Sequence, residues 1–381
     1  MVLANKKQYD VAIVGGGVAG LTLSIQLVRK GYSVIVFEKE QYPFHRVCGE
    51  YISFESLDFL KKIGIDPVVM GASNITRVQV SSVSGRIIDQ VLPLGGFGIS
   101  RYTLDNTLAA IARDAGVIIE ENMKINDIVF EGSGSLLTAS QKYFHARVVC
   151  AAYGKRSNMD VRWHRPFVMA KKNKLNNYVG VKYHVRTNFA TDTIALHNFP
   201  NGYCGLVKIE DDKYCLCYLT SASNLQQYKG DIKEMERNVL AQNPHLKKIF
   251  GNAEFLFKEP VTISQVSFDK KTLVEDHVLM IGDAAGMITP LCGNGMSMAM
   301  HAGTIAVKEI HSYLKGDISR ENMERWYTIQ WKREFDNRLK TGRRIQRLFS
   351  NKWMTNTLIF FGKLMPGFVR YLIKKTHGTS F

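Results

Sequence analysis

The sequence lacks the cysteine patterns that bind zinc or build a disulfide framework. Its six cysteines are scattered along the chain, and no two of them form a C-x-x-C pair. Cys215 and Cys217 lie two residues apart on a predicted strand, but no histidine or further cysteine follows at zinc-ligand spacing. We therefore expect reduced thiols in a cytoplasmic protein, and no metal site.

The sequence also lacks an apolar stretch near its start that could serve as a signal peptide. The first ten residues, MVLANKKQYD, are polar and lead directly into a predicted strand. No repeat and no low-complexity linker interrupts the 381 residues, and a hydrophobic content of 45% is sufficient for a sizeable core. These features predict a cytoplasmic globular protein.

Acidic residues are few relative to basic ones. The chain has 34 Asp and Glu against 50 Lys and Arg, a formal charge of +16, which indicates an anionic partner. No zinc finger, RNP-type motif or helix-turn-helix signature accompanies the basic residues, so we expect no nucleic acid. Many of them lie in a C-terminal segment where they alternate with large apolar side chains: Arg333, Arg338, Lys340, Arg343, Arg344, Arg347, Lys352, Trp353, Leu358, Phe360, Phe361, Lys363, Met365, Phe368, Arg370, Lys374 and Lys375.

That C-terminal pattern is typical of a helix at a membrane surface. Residues 353–373 are long enough to span a bilayer, but Lys363, Pro366 and Arg370 argue against a spanning helix. Two hypotheses stay open: peripheral attachment to the inner face of an anionic membrane, or a structural cap over a substrate cavity.

The first motif is the glycine-rich sequence from Gly15 to Gly20, which reads G-x-G-x-x-G. It follows a predicted buried strand at 10–15, opens a predicted helix at 18–30, and is followed by a second strand at 33–37. Gly15 permits a tight turn, Gly17 leaves room for phosphates, and Gly20 lets the helix pack on the sheet. With Val18 and Ala19 they form a helix N-terminus that can bind a pyrophosphate.

Glu38 ends the second strand, about 20 residues after the glycines, where a carboxylate can accept hydrogen bonds from a ribose. This strand–helix–strand unit predicts a bound dinucleotide. It does not by itself distinguish NAD from FAD.

The second motif, VLMIGDAAGMITPLCGNGMSMA at 278–299, favours FAD. A buried strand leads to Asp283, whose carboxylate can bind a polyol hydroxyl. Gly293, Asn294, Gly295 and Met296 then open a helix, whose positive N-terminus can face the negative charge of a reduced isoalloxazine. Because NAD has no ribityl chain and no anionic reduced ring, we predict one non-covalently bound FAD.

With both motifs, the chain resembles the FAD-dependent family of the para-hydroxybenzoate hydroxylase fold, and within it the geranylgeranyl-reductase-like branch. The resemblance covers residues 10 to about 315. Arg46-Val47-Cys48-Gly49-Glu50 is similar to the branch's (K/R)-x-C-G-E element. Arg101 with Leu104-Asp105 is similar to R-x-x-L-D, whose arginine approaches the FAD. Gly202-Tyr203 is similar to P-x-G-Y on the substrate sheet.

The resemblance implies an α/β fold: a Rossmann-type FAD-binding domain in discontinuous segments, 1–160 and 268–318, with an inserted antiparallel-sheet substrate domain at 161–267 and a basic helical C-terminal region at 319–381. A helix is predicted at 231–249 within the insert, and a loop at 43–56. Arg46 and Arg101 are expected to bind the cofactor. Cys48 and Tyr203 are the candidate catalytic residues, each with packing as the alternative role.

Three departures from the family pattern bear on the reaction. Tyr153 replaces the aspartate of the family's Asp-Gly-x-x-Ser, which is associated with nicotinamide use, and Asn294 stands where many members have glutamate. The W-x-W-x-I-P signature of tryptophan halogenases is absent. The resemblance implies an oxidoreductase that reduces a carbon–carbon double bond in an apolar isoprenoid or polyene substrate, with NAD(P)H or a ferredoxin-like protein as electron donor. An FAD monooxygenase acting on an aromatic or polyketide substrate, and a non-catalytic membrane-associated flavin-binding protein, are the alternatives.

Overall fold

The structure is a computed structural model, and it describes residues 8–169, 177–289, 293–349, 355–356, 367 and 378–381. The strands in chain order are β1 (Gln8–Val14), β2 (Val34–Phe37), β3 (Tyr51–Ser53), β4 (Ser73–Ser81), β5 (Ile87–Gly98), β6 (Ile118–Glu120), β7 (Asp127–Glu131), β8 (Gly134–Ala139), β9 (Lys142–Ala151), β10 (Tyr178–Arg186), β11 (Thr193–Phe199), β12 (Gly202–Lys208), β13 (Tyr214–Ser221), β14 (Glu254–Phe255), β15 (Val261–Val266), β16 (Val274–Glu275) and β17 (Val278–Met280).

The α-helices in chain order are α1 (Val18–Val28), α2 (Leu57–Ile63), α3 (Arg101–Asp114), α4 (Asn158–Arg162), α5 (Pro166–Met169), α6 (Ala222–Gln227), α7 (Ile232–Asn238), α8 (Pro244–Asn252), α9 (Gly295–Lys315) and α10 (Arg320–Phe349). Three short 3-10 turns lie at Phe54–Ser56, Leu240–Gln242 and Gly282–Ala284.

The first sheet is the Rossmann-type sheet that the sequence predicts. In the described ranges it has eight strands. Six of them follow the order β16-β17-β9-β1-β2-β6; of the other two, β8 pairs with both β9 and β7. Strands β17, β9, β1, β2 and β6 run parallel. Because parallel strands end at one edge of the sheet, the residues after β1, β2, β9 and β17 meet there, which is where α/β proteins bind their ligands.

Helices cover the first sheet and complete its core. Helix α1 packs against α3 and α9, and α10 lies on α9. The buried apolar residues of α1, α9 and α10 join the strands in one cluster that includes Leu21, Ile305 and Phe335. The second motif therefore belongs to the same packed unit as the first, although more than 250 residues separate Gly15 from Asp283.

The second sheet faces the first across the ends of the parallel strands. Within the described residues it has nine strands, ordered β14-β10-β13-β12-β11-β4-β5-β3, with β15 beside β10. Its pairs are antiparallel except β4 with β11, which is parallel. Helices α6 to α8 cover its outer face, where Val181, Leu216 and Tyr218 pack with Met235 and Leu246.

Residues 51–98, which were assigned to the FAD domain from the sequence, contribute strands β3, β4 and β5 to the second sheet, because β4 pairs with the inserted strand β11. Two predictions of secondary structure were wrong in detail. Residues 51–53 of the predicted loop form β3. The predicted helix 231–249 ends at Asn238 and resumes at Pro244, which has no N–H for a continuous helix and stands at the first turn of α8 behind the capping side chain of Asn243.

The C-terminal region is helical through α10, as predicted. Most of residues 353–373, for which membrane contact and a structural cap were both left open, lie outside the described residues. The final residues return to the body: the Phe381 ring stacks on His301 at a centroid distance of 4.4 Å, and the Gly378 N–H donates to Glu55 Oε2 at 2.5 Å. Among the residues described, no helix is both long and apolar enough to cross a membrane.

Candidate active site

The turn between β1 and α1 has a backbone that only glycine fits well. Gly15 has φ +113°, and a Cβ there would lie 2.4 Å from the Ala152 carbonyl oxygen after β9. A Cβ on Gly20 would lie 2.0 Å from the Gly15 carbonyl oxygen. These two close approaches are the reason for the first and third glycines of the motif.

The N-terminus of α1 is open toward the sheet edge. Gly17 is the N-cap, and no side chain caps the helix there. The amides of Val18, Ala19 and Gly20 are in the first turn, whose N–H groups have no partner within the helix. Together with the helix dipole they can bind the negative charge of a pyrophosphate.

Glu38 lies where the sequence predicts, at the end of β2 and beside the glycine turn. It is 3% exposed, its Oε2 accepts the Gly16 N–H at 2.9 Å, and Arg46 Nη2 donates to the same oxygen at 2.8 Å. The Tyr42 hydroxyl donates to the Gly16 carbonyl. Glu38 is thus held next to the phosphate-binding turn, the position from which a carboxylate reaches a ribose.

Two arginines share one carboxylate beside this turn. Arg101 donates to both oxygens of Asp105, at 2.7 and 2.6 Å, and Arg46 Nε donates to Asp105 at 3.2 Å. The Arg101 Nη2 atom is 3.3 Å from the position that a Cβ on Gly17 would take. A cationic group therefore faces the second glycine of the motif, which suits an anionic ligand.

The second motif forms the turn after β17, next to the first. Gly282 has φ +62°, and Asp283 follows it at the sheet edge. Burial raises the pKa of the Asp283 carboxyl, and the nearby cations of Lys271 and Arg101 partly oppose this effect. Lys271 Nζ donates to the carbonyls of Asp283 and Lys155, at 2.7 and 2.6 Å.

A buried arginine donates hydrogen bonds that hold the turn after β17 in place. The Arg165 guanidinium, 0% exposed, donates to the Ala284 carbonyl at 3.0 Å and to Asp160 at 2.6 Å. The Tyr153 hydroxyl donates to the same Asp160 oxygen at 2.6 Å. Tyr153, which replaces the family's aspartate, is thus part of the support for the loop that carries Asp283.

The N-terminus of α9 is the second open helix end. Gly293 has φ +70°, Asn294 is the N-cap, and no side-chain hydrogen bond caps Gly295 and Met296 in the first turn. Residues 290–292, with Pro290 and Cys292, lie outside the described residues. Met296 Sδ is 4.0 Å from Cys48 Sγ, so the helix end and the Cys48 loop meet.

The Cys48 loop is fastened to the second sheet by a buried charge cluster. The Glu50 carboxylate accepts hydrogen bonds from Lys182 Nζ, from the Arg101 N–H at 2.7 Å, and is 2.7 Å from His184 Nε2. Glu50 and Lys182 are both 0% exposed. Although burial opposes ionisation, Lys182 and His184 lower the pKa of Glu50 to about 2.

Tyr203 lies on β12, on the face of the second sheet turned toward the cofactor motifs. It is buried in a cluster with Tyr178, Leu219 and Phe268, against which Met287 of the second motif packs. The structure therefore brings Cys48 together with the cofactor residues, and places Tyr203 in a packed cluster beside them. A catalytic role for either residue stays a prediction.

The residues that hold the site together across the chain were not identified from the sequence. Glu50 and Asp105 belong to the recognised motifs, but their partners were not predicted. Lys182 and His184 had a weak signal, because their alternate spacing on β10 places them on one face. Arg165 had none.

Residues 8–330 match the family described as FAD binding domain. The chain belongs to this family. It is an FAD-dependent oxidoreductase, and its cofactor is FAD. The two open helix ends, the glycine turns, Glu38 and Asp283 fit that cofactor: Gly15, Gly17, Val18, Ala19, Gly20, Glu38, Arg46 and Arg101 would hold its adenosine and pyrophosphate side, and Asp283 with Gly293, Asn294, Gly295 and Met296 its flavin side. When bound, the flavin supplies hydride or electron transfer.

Proteins of several activities are similar to this chain in sequence or in fold. The chain is 23% identical to conditioned medium factor receptor 1 of Dictyostelium discoideum over 86% of this chain and 68% of the relative. It is 24% identical to digeranylgeranylglycerophospholipid reductase of Methanosarcina acetivorans over 86% and 81%. Among solved structures, the flavin-dependent brominase Bmp2 has a TM-score of 0.77 at 21% identity, covering 97% of this chain and 94% of that one. A geranylgeranyl bacteriochlorophyll reductase-like protein of Thermoplasma acidophilum has 0.77 at 19%, covering 93% and 91%.

Proposed function

We propose that the protein reduces a carbon–carbon double bond in an apolar substrate of isoprenoid or polyene type, bound on the inner face of the second sheet. The digeranylgeranylglycerophospholipid reductase among the relatives supports this reaction class. The brominase shares the fold equally well, so the proposal depends on the surface that the sheet offers to a substrate.

The observation that carries the proposal is a row of apolar or small residues across the inner face, which we call the central row. In register, Val80 pairs with Leu196 on β11, and Leu196 pairs with Gly205 on β12. Gly205 in turn pairs with Cys217 on β13. All four residues are half-buried, whereas Val207 and Leu219, next to them on the same face, are buried.

The central row leaves apolar surface uncovered at its middle. A Cβ on Gly205 would meet only atoms at 3.6 to 3.8 Å, which is ordinary contact distance. The nearest side-chain atom to that position is Leu196 Cδ2, at 3.7 Å, so a methyl group fits there without a clash. An apolar strip with a gap at its centre is suited to an extended hydrocarbon, because it gains from burial without requiring polar partners.

The central row leads to Cys48. Its last member, Cys217 on β13, pairs with Lys182 on β10. Cys215, which is also on β13, donates to the Cys48 carbonyl at 3.2 Å. Burial raises the pKa of the Cys48 thiol, and Arg101 opposes this effect. A neutral thiol with a cation nearby is a group that can donate a proton and stabilise the resulting thiolate.

In the proposed reaction, bound and reduced FAD would supply a hydride to one carbon of the double bond, and the other carbon would need a proton from the protein. Cys48 Sγ is the proton donor that the geometry favours, since it lies at the α9 N-terminus and beside the end of the central row. The side chains of the row exclude water and hold the chain of the substrate.

The test is anaerobic incubation of the FAD-loaded, dithionite-reduced protein with a lipid extract, followed by mass spectrometry. A mass gain of two hydrogens in an unsaturated lipid is the expected result. A product that gains oxygen or bromine in air, with no hydrogenated product, would replace this proposal with a monooxygenase or halogenase activity.

Variants at Gly205 connect the activity to the central row. Gly205→Leu should fill the gap and abolish turnover while FAD binding is unchanged. Gly205→Ala is the matched control and should retain most activity, because its Cβ meets no atom closer than 3.6 Å. Cys48→Ala should lower the rate by roughly 10²-fold or more, the usual contribution of a general acid. Equal activity in Gly205→Leu and Gly205→Ala would show that the substrate does not bind at this row.

A further inference from the structure

The outer side of α10 carries a continuous line of exposed residues. They recur every three or four positions, so they share one face of the helix. We call this line the outer stripe, and it consists of Glu321, Asn322, Arg325, Trp326, Ile329, Lys332, Arg333, Asn337, Lys340 and Arg344.

The opposite face of α10 is part of the core. Met323, Tyr327, Trp331 and Phe335 are buried, and a Cβ on Gly286 in the second motif would lie 3.0 Å from the Trp331 ring. The outer stripe is therefore carried by a helix whose position is fixed, directly behind the loop that holds Asp283. Its side chains are not needed for that packing.

The outer stripe is strongly cationic. The stripe contains five Lys or Arg residues and one exposed acid, Glu321 at its start; the half-buried Asp336 lies on the same face, four residues from Lys332 and from Lys340. In the described part of the chain no ion pair joins any of these five cations to a carboxylate, while Arg338 and Glu324, to the side of the stripe, pair with Glu55 and His277. From Arg325 to Arg344 the stripe extends about 28 Å at 1.5 Å per residue.

Two large apolar side chains lie within this charged line. Trp326 is 51% exposed and Ile329 is 50% exposed, one turn apart and between Arg325 and Lys332. A surface that only attracted a soluble polyanion would need the cations alone. Tryptophan beside lysine and arginine is typical of helices that bind at the membrane–water interface, where the ring lies at the level of the headgroups and the cations contact the phosphates.

We propose that the outer stripe binds anionic phospholipid headgroups, with α10 lying parallel to the membrane surface and Trp326 and Ile329 inserted at the interface. The formal charge of +16 on the whole chain adds a long-range attraction to such a surface. The contact would hold the second motif, on the other side of α10, close to the bilayer. This inference is independent of the reaction proposed above.

The experiment measures co-sedimentation of the FAD-loaded full chain with vesicles. Vesicles with phosphatidylglycerol in phosphatidylcholine should bind the protein at low salt, vesicles of phosphatidylcholine alone should bind much less, and binding should fall as salt rises. Each cation near an anionic surface contributes about fivefold to binding, so Lys332→Gln/Arg333→Gln/Lys340→Gln should lose roughly 100-fold.

A matched control removes three exposed cations elsewhere. Lys233→Gln/Lys247→Gln/Lys248→Gln lies on α7 and α8, over the outer face of the second sheet, and lowers the net charge by the same amount. It should retain most of the vesicle binding. Circular dichroism and FAD content should be unchanged in both triple variants, since all six side chains are exposed.

Fluorescence reports the orientation. Brominated lipids should quench a tryptophan in the wild-type protein, and that quenched component should disappear in Trp326→Phe. Equal loss of binding in the two triple variants, or quenching that persists in Trp326→Phe, would refute the outer stripe as the contact. Binding to heparin without binding to anionic vesicles would assign the stripe to a soluble polyanion and overturn the proposal.

Discussion

The buried pair of Glu50 and Lys182 should contribute several kcal/mol to stability, and only when both are present. Both side chains are 0% exposed, and Glu50 also accepts from the Arg101 N–H and lies against His184. In Lys182→Met the Glu50 carboxylate loses its closest cation inside the protein. Removal of one partner from a buried ion pair typically costs about 3–5 kcal/mol.

The pKa of Glu50 gives an independent magnitude. The carboxyl titrates near 4.5 when it is unperturbed and at about 2 in the folded protein. A shift of that size corresponds to roughly 3 kcal/mol. Because the folded pKa is depressed, this stabilisation is fully present above pH 4.5 and is lost as the pH falls toward 2. The stability difference between wild type and Glu50→Gln should therefore shrink over that range.

The assay is urea unfolding of the FAD-saturated protein, followed by circular dichroism, for Lys182→Met, Glu50→Gln and the double variant. We expect the double variant to lose less than the sum of the two single losses, because no unpaired buried charge remains in it. The control cycle is Arg186→Met with Glu254→Gln, an exposed pair on β10 and β14 that should be worth less than about 1 kcal/mol. Additive effects at Glu50 and Lys182, each below about 1 kcal/mol, would refute the reasoning.

Three further predictions concern the cofactor. Asp283→Ala should weaken FAD affinity by roughly ten- to a hundredfold, the effect of losing a hydrogen bond worth about 1–3 kcal/mol, and fluorescence titration with FAD would measure it; unchanged affinity would remove Asp283 from the site. Acid precipitation should release free FAD, as judged by chromatography, whereas flavin that stays in the pellet would indicate a covalent link. Because Tyr153 replaces the family's aspartate, NADPH should reduce the flavin slowly and dithionite or a ferredoxin rapidly, and fast bleaching by NADPH in stopped flow would contradict this.

Local patterns in the sequence were enough to predict the cofactor half of the molecule. The strand at 10–15, the glycine turn and Glu38 are adjacent in sequence, and each is recognisable from a buried apolar run followed by residues with a fixed geometric role. The same holds for β17, Asp283 and the start of α9. Their meeting at one sheet edge follows from the parallel order of β1, β9 and β17.

The contacts between segments that are distant in the sequence could not be predicted in this way. Glu50 and Lys182 are 132 residues apart, and Arg165 reaches Ala284 across 119 residues. The pairing of β4 with β11 likewise depends on register between distant segments. Such contacts leave no periodic signal in a single sequence, because each is decided by the final packing of elements that form separately.

The two halves of the site have different roles in the chemistry. In the site proposed above, the glycine turns, Glu38 and Asp283 would bind the cofactor. Because a reductase and a brominase are both similar to this chain, we infer that this half does not select the reaction. Selection then falls to what the second sheet presents to the cofactor. In this chain that surface is the central row from Val80 to Cys217, which ends at the Cys48 loop. The row offers apolar contact and the thiol of Cys217, with the thiol of Cys48 beside its end, and Lys182 there is already paired with Glu50. A substrate that is mostly hydrocarbon, and that needs one proton during the reaction, is the kind that such a surface can bind and convert.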